Sequence, residues 1–160
     1  MDFATLESCP ERFAVDQVVC ALGTTIAIAG SQAAFRAVDF ELPLRVATLA
    51  RAQGAQHYLL VSALGAARDS RVFYNRVKGE LEDALDALGF RSLTIARPSL
   101  LRGDRVEFGV GERLAQHFGF LMPGRWKPVH ARQVAAALVQ AAARDLAGRR
   151  VMENIELRQH

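Results

Sequence analysis

Residues 57–81 read His57-Tyr-Leu-Leu-Val-Ser-Ala-Leu-Gly-Ala-Ala-Arg-Asp-Ser-Arg-Val-Phe-Tyr-Asn-Arg-Val-Lys-Gly-Glu-Leu81. The run from His57 to Ala63 is apolar, near-continuous and of strand length. A loop holding Gly65 and Asp69 follows. Ser70 is a candidate helix N-cap. Phe73, Val77, Leu81, Leu85 and Leu88 then recur at helical spacing, and Gly89 is the expected stop. Strand, loop and amphipathic helix in this order make one crossover unit of a parallel sheet. On the helix, Lys78 and Glu82 are one turn apart, which predicts a solvent-facing ion pair.

The same rhythm continues on both sides. Upstream, Gln17–Leu22 is a short buried strand closed by Gly23-Thr24-Thr25. Gly30-Ser31 opens a helix whose inward face carries Phe35, Val38, Leu42, Val46 and Leu49. Pro43 either kinks it or sits in the first turn of a new helix, and Gly54 ends it. Downstream, Arg91–Arg97 is a third strand stopped by Pro98. Leu100–Glu112 reads as irregular, with a short helix near Arg113–Phe118. His130–Ala143 is helical, and Val151–Leu157 is a last short edge strand. Continuous apolar strands alternating with helices predict an α/β fold, a parallel sheet with helices on both faces. Ligands of such sheets bind at the carboxyl ends of the strands, where Gly23, Ser62 and Pro98 all fall.

Composition narrows the function classes. The 160 residues are 51% hydrophobic and 23% charged, enough for a packed core and unlike a disordered chain. The arginines behind the net charge of +3 are scattered, so no nucleic-acid partner is expected. No apolar run reaches spanning length, so no membrane association is expected. Two cysteines, Cys9 and Cys20, form no metal or disulfide framework; with no signal-peptide pattern at the start, a cytoplasmic location is expected. His57 and His130 have no second ligand at metal spacing.

The chemistry concentrates on Ser62, Tyr74 and Lys78. Tyr74 and Lys78 are one helical turn apart, and Ser62 closes the strand before them. A free tyrosine ionises near pH 10, too high for proton transfer at neutral pH. An adjacent ammonium favours the phenolate and is expected to lower that value. Ser62 could donate to a substrate carbonyl while Tyr74 protonates the oxygen that becomes an alcohol. That suits hydride transfer. Asp39, on its helix, could face this site or solvent.

The chain resembles an atypical short-chain dehydrogenase/reductase, of the NAD(P)-binding, epimerase-like kind, most like the bacterial relatives of the Tat-interacting-protein oxidoreductases. The resemblance is carried by Val18–Thr25, Val38-Asp39, His57–Gly65, Phe73–Glu80, Leu93–Leu100 and Lys127-Pro-Val129. It implies a Rossmann-like fold and an NAD(P)-dependent oxidoreductase acting on a carbonyl or alcohol substrate. Ser62, Tyr74 and Lys78 match the catalytic serine, tyrosine and lysine, the lysine also holding the nicotinamide ribose. Gly23, Thr24 and Thr25 match the loop against the cofactor. Arg97, Pro98, Ser99 and Leu100 match the segment beside the nicotinamide, and Leu121–Val129 would border the substrate pocket.

Two features depart from the family pattern. The asparagine often supplied by the helix before the catalytic serine is absent, since the asparagines are Asn75 and Asn154. The glycine-rich turn that holds the cofactor pyrophosphate is also absent, together with the first three strands. Gly109-Val-Gly111 begins like such a turn, but Leu114 stands where the third glycine belongs. Residues 1–160 are therefore expected to form a single partial Rossmann-like NAD(P)-binding domain, truncated at its N-terminal side. NAD cannot be told from NADP here, because the selecting residue belongs to the missing part. The alternative reading is a non-catalytic or cofactor-deficient fragment acting as an interaction protein. The exposed edge of strand 17–22 would then pair with a partner or a second copy.

Overall fold

A computed structural model describes residues 3–102 and 124–160. Its strands are β1 (Gln17–Cys20), β2 (His57–Val61), β3 (Ser92–Arg97), the two-residue β4 (Leu101–Arg102) and β5 (Val129–His130), and β6 (Gly148–Glu153). Four of them form one sheet in the order β1-β2-β3-β6, with every pair parallel. β4 and β5 pair separately. The helices are α1 (Ile26–Ala29), α2 (Gln32–Arg36), α3 (Leu42–Ala52), α4 (Phe73–Ala87), α5 (Ala131–Arg144) and α6 (Asn154–Leu157). The fold is the α/β, Rossmann-like arrangement that the alternating apolar runs imply.

Alternate strand residues serve opposite faces. Leu59, Ala96 and Met152 pack against Val134, Leu138 and Ala141 of α5 and Leu157 of α6. Tyr58, Leu60, Leu93 and Ile95 face the other way, onto Ala47 of α3 and Leu81 and Leu85 of α4. With both faces covered, the central strands β2 and β3 read as near-continuous apolar runs, broken only by the buried His57, Ser92 and Thr94, while the edge strands β1 and β6 keep exposed residues. Truncating a fully buried leucine such as Leu81 to alanine would cost about 2–5 kcal/mol.

Three boundaries differ from the sequence reading. Helix α4 starts at Phe73 with Val72 as its N-cap residue, while Ser70 Oγ accepts from the Val72 N–H at 3.2 Å and shapes the turn just before it. The last strand starts earlier, at Gly148, and residues 154–157, expected to be extended, turn into α6. The Asn154 side chain bonds to three backbone groups there and fixes the bend. The expected helix near Arg113–Phe118, the Gly109-Val-Gly111 segment and the Leu121–Pro123 end of the pocket border lie outside the described residues.

Pro43 resolves as the residue that reshapes its own helix. It has no N–H for the Asp39 carbonyl four residues back, and its ring crowds that carbonyl. The turn before it widens: Ala37–Glu41 is π-helical, and the Leu42 N–H bonds to the Ala37 carbonyl five residues back. Pro43 itself sits in the first turn of α3. The widened turn carries Asp39.

Candidate active site

The loop after β2 and the helix α4 are locked together at Gly79. A Cβ there would lie 2.3 Å from the Ala67 carbonyl carbon and 2.4 Å from the Arg68 nitrogen, so only a glycine admits this approach. The Ala67 N–H donates to the Asn75 carbonyl at 3.1 Å. The Ser62 and Leu64 N–H groups donate to Ala96 and Pro98 carbonyls, both at 2.8 Å, which extends the pairing past the end of β2. The first turns of α4 are thereby pinned to the carboxyl edge of the sheet.

Lys78 and Glu82 are not a solvent-facing pair. Both are buried, at 3% and 1% exposure, and each has found a partner on another element. The Lys78 ammonium lies 2.7 Å from Asp39 Oδ1. The Thr24 N–H donates to the other Asp39 oxygen, Oδ2, at 2.8 Å. Gly23 abuts the same pair: a Cβ there would stand 3.2 Å from Asp39 Oδ1 and 3.6 Å from Lys78 Nζ. Asp39 itself has no exposure. The turn after β1, the widened turn before α3 and the helix α4 thus converge on one buried carboxylate–ammonium pair. Of the two directions open to Asp39 in the sequence, site or solvent, the structure shows the site; the sequence signal for it is Pro43, four residues on.

Tyr74 joins this cluster from one turn earlier. Its ring packs on Phe35, with centroids 5.4 Å apart, and the Lys78 ammonium is 5.9 Å from its centroid. The lowered pKa expected from the lysine is not found. Burial pushes the Tyr74 phenol up from its ordinary value, and the Asp39 carboxylate adds to the rise. The larger cause is the loss of water around the phenol, which disfavours the phenolate; the nearby carboxylate acts in the same direction.

Ser62 belongs to a second network. It is buried, and its hydroxyl donates to Glu82 Oε1 at 2.5 Å. Arg97 grips the same carboxylate with Nε at 3.1 Å and Nη2 at 2.6 Å. Arg149 lies 3.5 Å from it, and Arg97 also reaches Glu153 at 3.1 Å. Tyr74 and Lys78 are therefore gathered with Asp39, while the Ser62 hydroxyl turns to Glu82.

The remaining expected site residues are at the same rim. Thr25 Oγ1 accepts from the Ile28 N–H and caps α1. Pro98 is buried. The Ser99 N–H donates to Asn154 Oδ1 and its hydroxyl to the Lys127 carbonyl. The Leu100 carbonyl accepts from the Val129 N–H, and the Leu100 side chain is exposed. The Arg97 and Ser99 side chains are both engaged by protein groups.

Relatives follow from this frame. No model of a known protein family matches the chain. It is 35% identical over 152 residues to the protein FMP52, mitochondrial, of Eremothecium gossypii, covering 89% of this chain and 68% of that protein. The chain belongs to the FMP52 family. It is also 39% identical over 127 residues to the rat protein HTATIP2, covering 79% of this chain and 52% of the relative, which supports the Tat-interacting-protein relation. The chain spans about half to two thirds of the length of these relatives. In fold it matches the dTDP-4-dehydrorhamnose reductase of Bacillus anthracis, solved in complex with NADP, with a TM-score of 0.68 and 12% identity over 95% of this chain and 61% of that one. Other solved structures of this fold include the UDP-glucose 4-epimerase of Thermotoga maritima with UDP-glucose, the Bordetella bronchiseptica enzyme WbmG with NAD, and RMD of Pseudomonas aeruginosa with NADPH. The expected cytoplasmic location is overturned, because the FMP52 relatives are named mitochondrial. Unpaired cysteines speak to a reducing setting and not to which compartment provides it. Among the described residues no helix is long and apolar enough to cross a membrane.

Proposed function

We propose that this chain carries the catalytic portion of an NAD(P)-dependent oxidoreductase of the short-chain dehydrogenase type, acting on a small carbonyl or alcohol substrate. One observation carries the reading. Tyr74 and Lys78 stand together at the carboxyl edge of a parallel sheet, against the Gly23–Thr25 turn. Solved proteins of this fold have been seen with NADP, NAD or NADPH bound.

The residues present fit the nicotinamide-ribose end of such a cofactor. Gly23 leaves the approach to Lys78 free of a side chain, and an ammonium is a suitable donor to ribose hydroxyls. Gly23, Thr24, Thr25 and Lys78 would hold that end, with Arg97, Pro98, Ser99 and Leu100 beside the nicotinamide through their backbone. NADH or NADPH bound there supplies the hydride. Tyr74 supplies the proton: as the carbonyl carbon is reduced, its oxygen takes the proton from Tyr74 Oη and becomes an alcohol. The phenolate left behind regains a proton from water. With its phenol pushed up by burial, Tyr74 holds that proton at neutral pH, so carbonyl reduction starts from the protonation state at hand. Ser62 enters this reading as a donor to the substrate oxygen, once its hydroxyl turns from Glu82.

Tyr74→Phe tests the assignment. Turnover should fall by about 100-fold or more while NADPH binding is kept. Unchanged turnover would remove Tyr74 from the role.

A second reading rests on β1. It is an edge strand of the described sheet, and Val19 on it is 57% exposed. An open apolar edge favours pairing with another strand, from a partner or a second copy. Gel filtration decides it: a stable monomer at all concentrations would set the self-association aside.

A further inference from the structure

Asp39 has no part in the reaction as written above, yet three elements close on it. It is fully buried, with one carboxylate oxygen 2.7 Å from Lys78 Nζ and the other bonded to the Thr24 N–H at 2.8 Å. Its Oδ1 has no aligned hydrogen bond, so the ammonium is its counter-charge rather than a well-directed donor. A buried carboxylate at this position is costly unless it is paired. The widened turn before Pro43 is what brings it here, and extra residues in a helical turn often mark functional sites.

The surroundings leave few other charges to consider. Among the described residues, the charged groups against Tyr74 are Lys78, on its own helix, and Asp39, on the widened turn. Arg36 and Glu80, on the same two stretches of chain, neutralise each other at 2.5 Å. Phe35 faces the ring with an apolar surface.

We propose that Asp39 is a positioning residue of the Tyr74–Lys78 site: it clamps the Lys78 ammonium and the Gly23–Thr25 turn together and offsets the ammonium's charge at the Tyr74 phenol. The inference deepens the oxidoreductase reading and rests on it for its meaning, but its test needs no turnover. With the clamp closed, Lys78 is held where a ribose hydroxyl would meet it, and Tyr74 keeps its proton. With the carboxylate neutralised, the same ammonium acts on the phenol unopposed and draws it toward the phenolate.

The chain makes this measurable. It has two tyrosines. Tyr58 is fully buried and donates to the Pro43 carbonyl, and burial pushes its phenol up. The phenolate absorbance that grows in the folded protein is therefore Tyr74's, and Tyr74→Phe should abolish it. Asp39→Asn keeps the shape and an acceptor for the Thr24 N–H while removing the charge. It should shift the titration midpoint downward; a midpoint equal to that of the parent protein would overturn the proposal. Should Asp39→Asn fail to fold, Lys78→Met gives a second readout. Releasing the clamp should speed hydrogen exchange at the Thr24 amide about tenfold or more, a loss of roughly 1.4 kcal/mol of protection. Unchanged exchange would overturn it. A shifted midpoint in a protein that binds no NADPH would leave the role of Asp39 standing and remove the oxidoreductase reading. An unmoved midpoint beside intact NADPH turnover would do the reverse.

Discussion

Gly79 rests against the backbone of Ala67, so closely that a Cβ on Gly79 would fall 2.3 Å from the Ala67 carbonyl carbon. This contact sets the first turns of α4 on the loop after β2, and through them the positions of Tyr74 and Lys78. Two effects oppose each other in Gly79→Ala. Helix propensity favours alanine by about 1 kcal/mol. The clash is with backbone, which cannot rotate away, and overpacking of this kind costs about 1–3 kcal/mol or more. The clash should win. Urea unfolding should show a net loss of stability, and a stabilised variant would contradict the contact.

The Ser62–Glu82–Arg97 network should matter more for stability than for surface charge. Glu82→Leu removes the carboxylate that Arg97 grips twice and leaves Arg97 with Glu153 alone. The loss for a buried pair broken on one side is about 3–5 kcal/mol, and the lower end applies because the Arg97 side chain is 22% exposed. Ser62→Ala removes one donor to Glu82 and should cost about 1–3 kcal/mol. Denaturant midpoints at low and high salt check both. A Glu82 variant losing under 1 kcal/mol would place this network among ordinary surface pairs.

The central strands were legible in the sequence because burial on both faces leaves them few polar residues. Gln17–Cys20, His57–Val61 and Ser92–Arg97 all lie within the runs read as strands. Helix α4 was legible because Val77, Leu81 and Leu85 keep one face buried. The site was harder. Lys78 and Glu82 carry opposite charges one turn apart, a pattern that ordinarily faces solvent, and only the folded chain shows that Asp39 and Arg97 draw them inward. Asp39 was hidden for a related reason. A regular helix through Pro43 would have turned it differently, and the widened turn that aims it depends on where the proline ring meets the chain. The lowered Tyr74 pKa is not found for the same reason: spacing along a helix shows the neighbouring ammonium, but neither the burial of the phenol nor the carboxylate brought against it.

His57 gives the fold a pH dependence away from the site. It opens β2, is 1% exposed, and its ring lies 2.9 Å from Thr94 Oγ1 and 3.0 Å from Asp145 Oδ1. Burial lowers its pKa below the ordinary value near 6.5, and the nearby Arg91 adds to this while Asp145 opposes it. The folded protein therefore binds fewer protons than the unfolded chain just below that value. By linkage, stability is full above about pH 6.5 and falls as the pH drops below it, until the folded-state pKa is passed. Denaturant midpoints measured from pH 8 to pH 5 should decline in the parent protein and decline less in His57→Gln. Parallel profiles would contradict the assignment.

In the proposed function, the Gly23, Asp39, Tyr74 and Lys78 cluster is where a nicotinamide cofactor meets this chain. Titrating NADPH and NADH into the protein, with cofactor fluorescence as the signal, tests it most directly. A saturable change is expected with at least one of the two, weakened about tenfold or more in Lys78→Met, roughly 1.4 kcal/mol of binding. A flat titration up to millimolar concentrations of both, or saturation untouched by Lys78→Met, would contradict it.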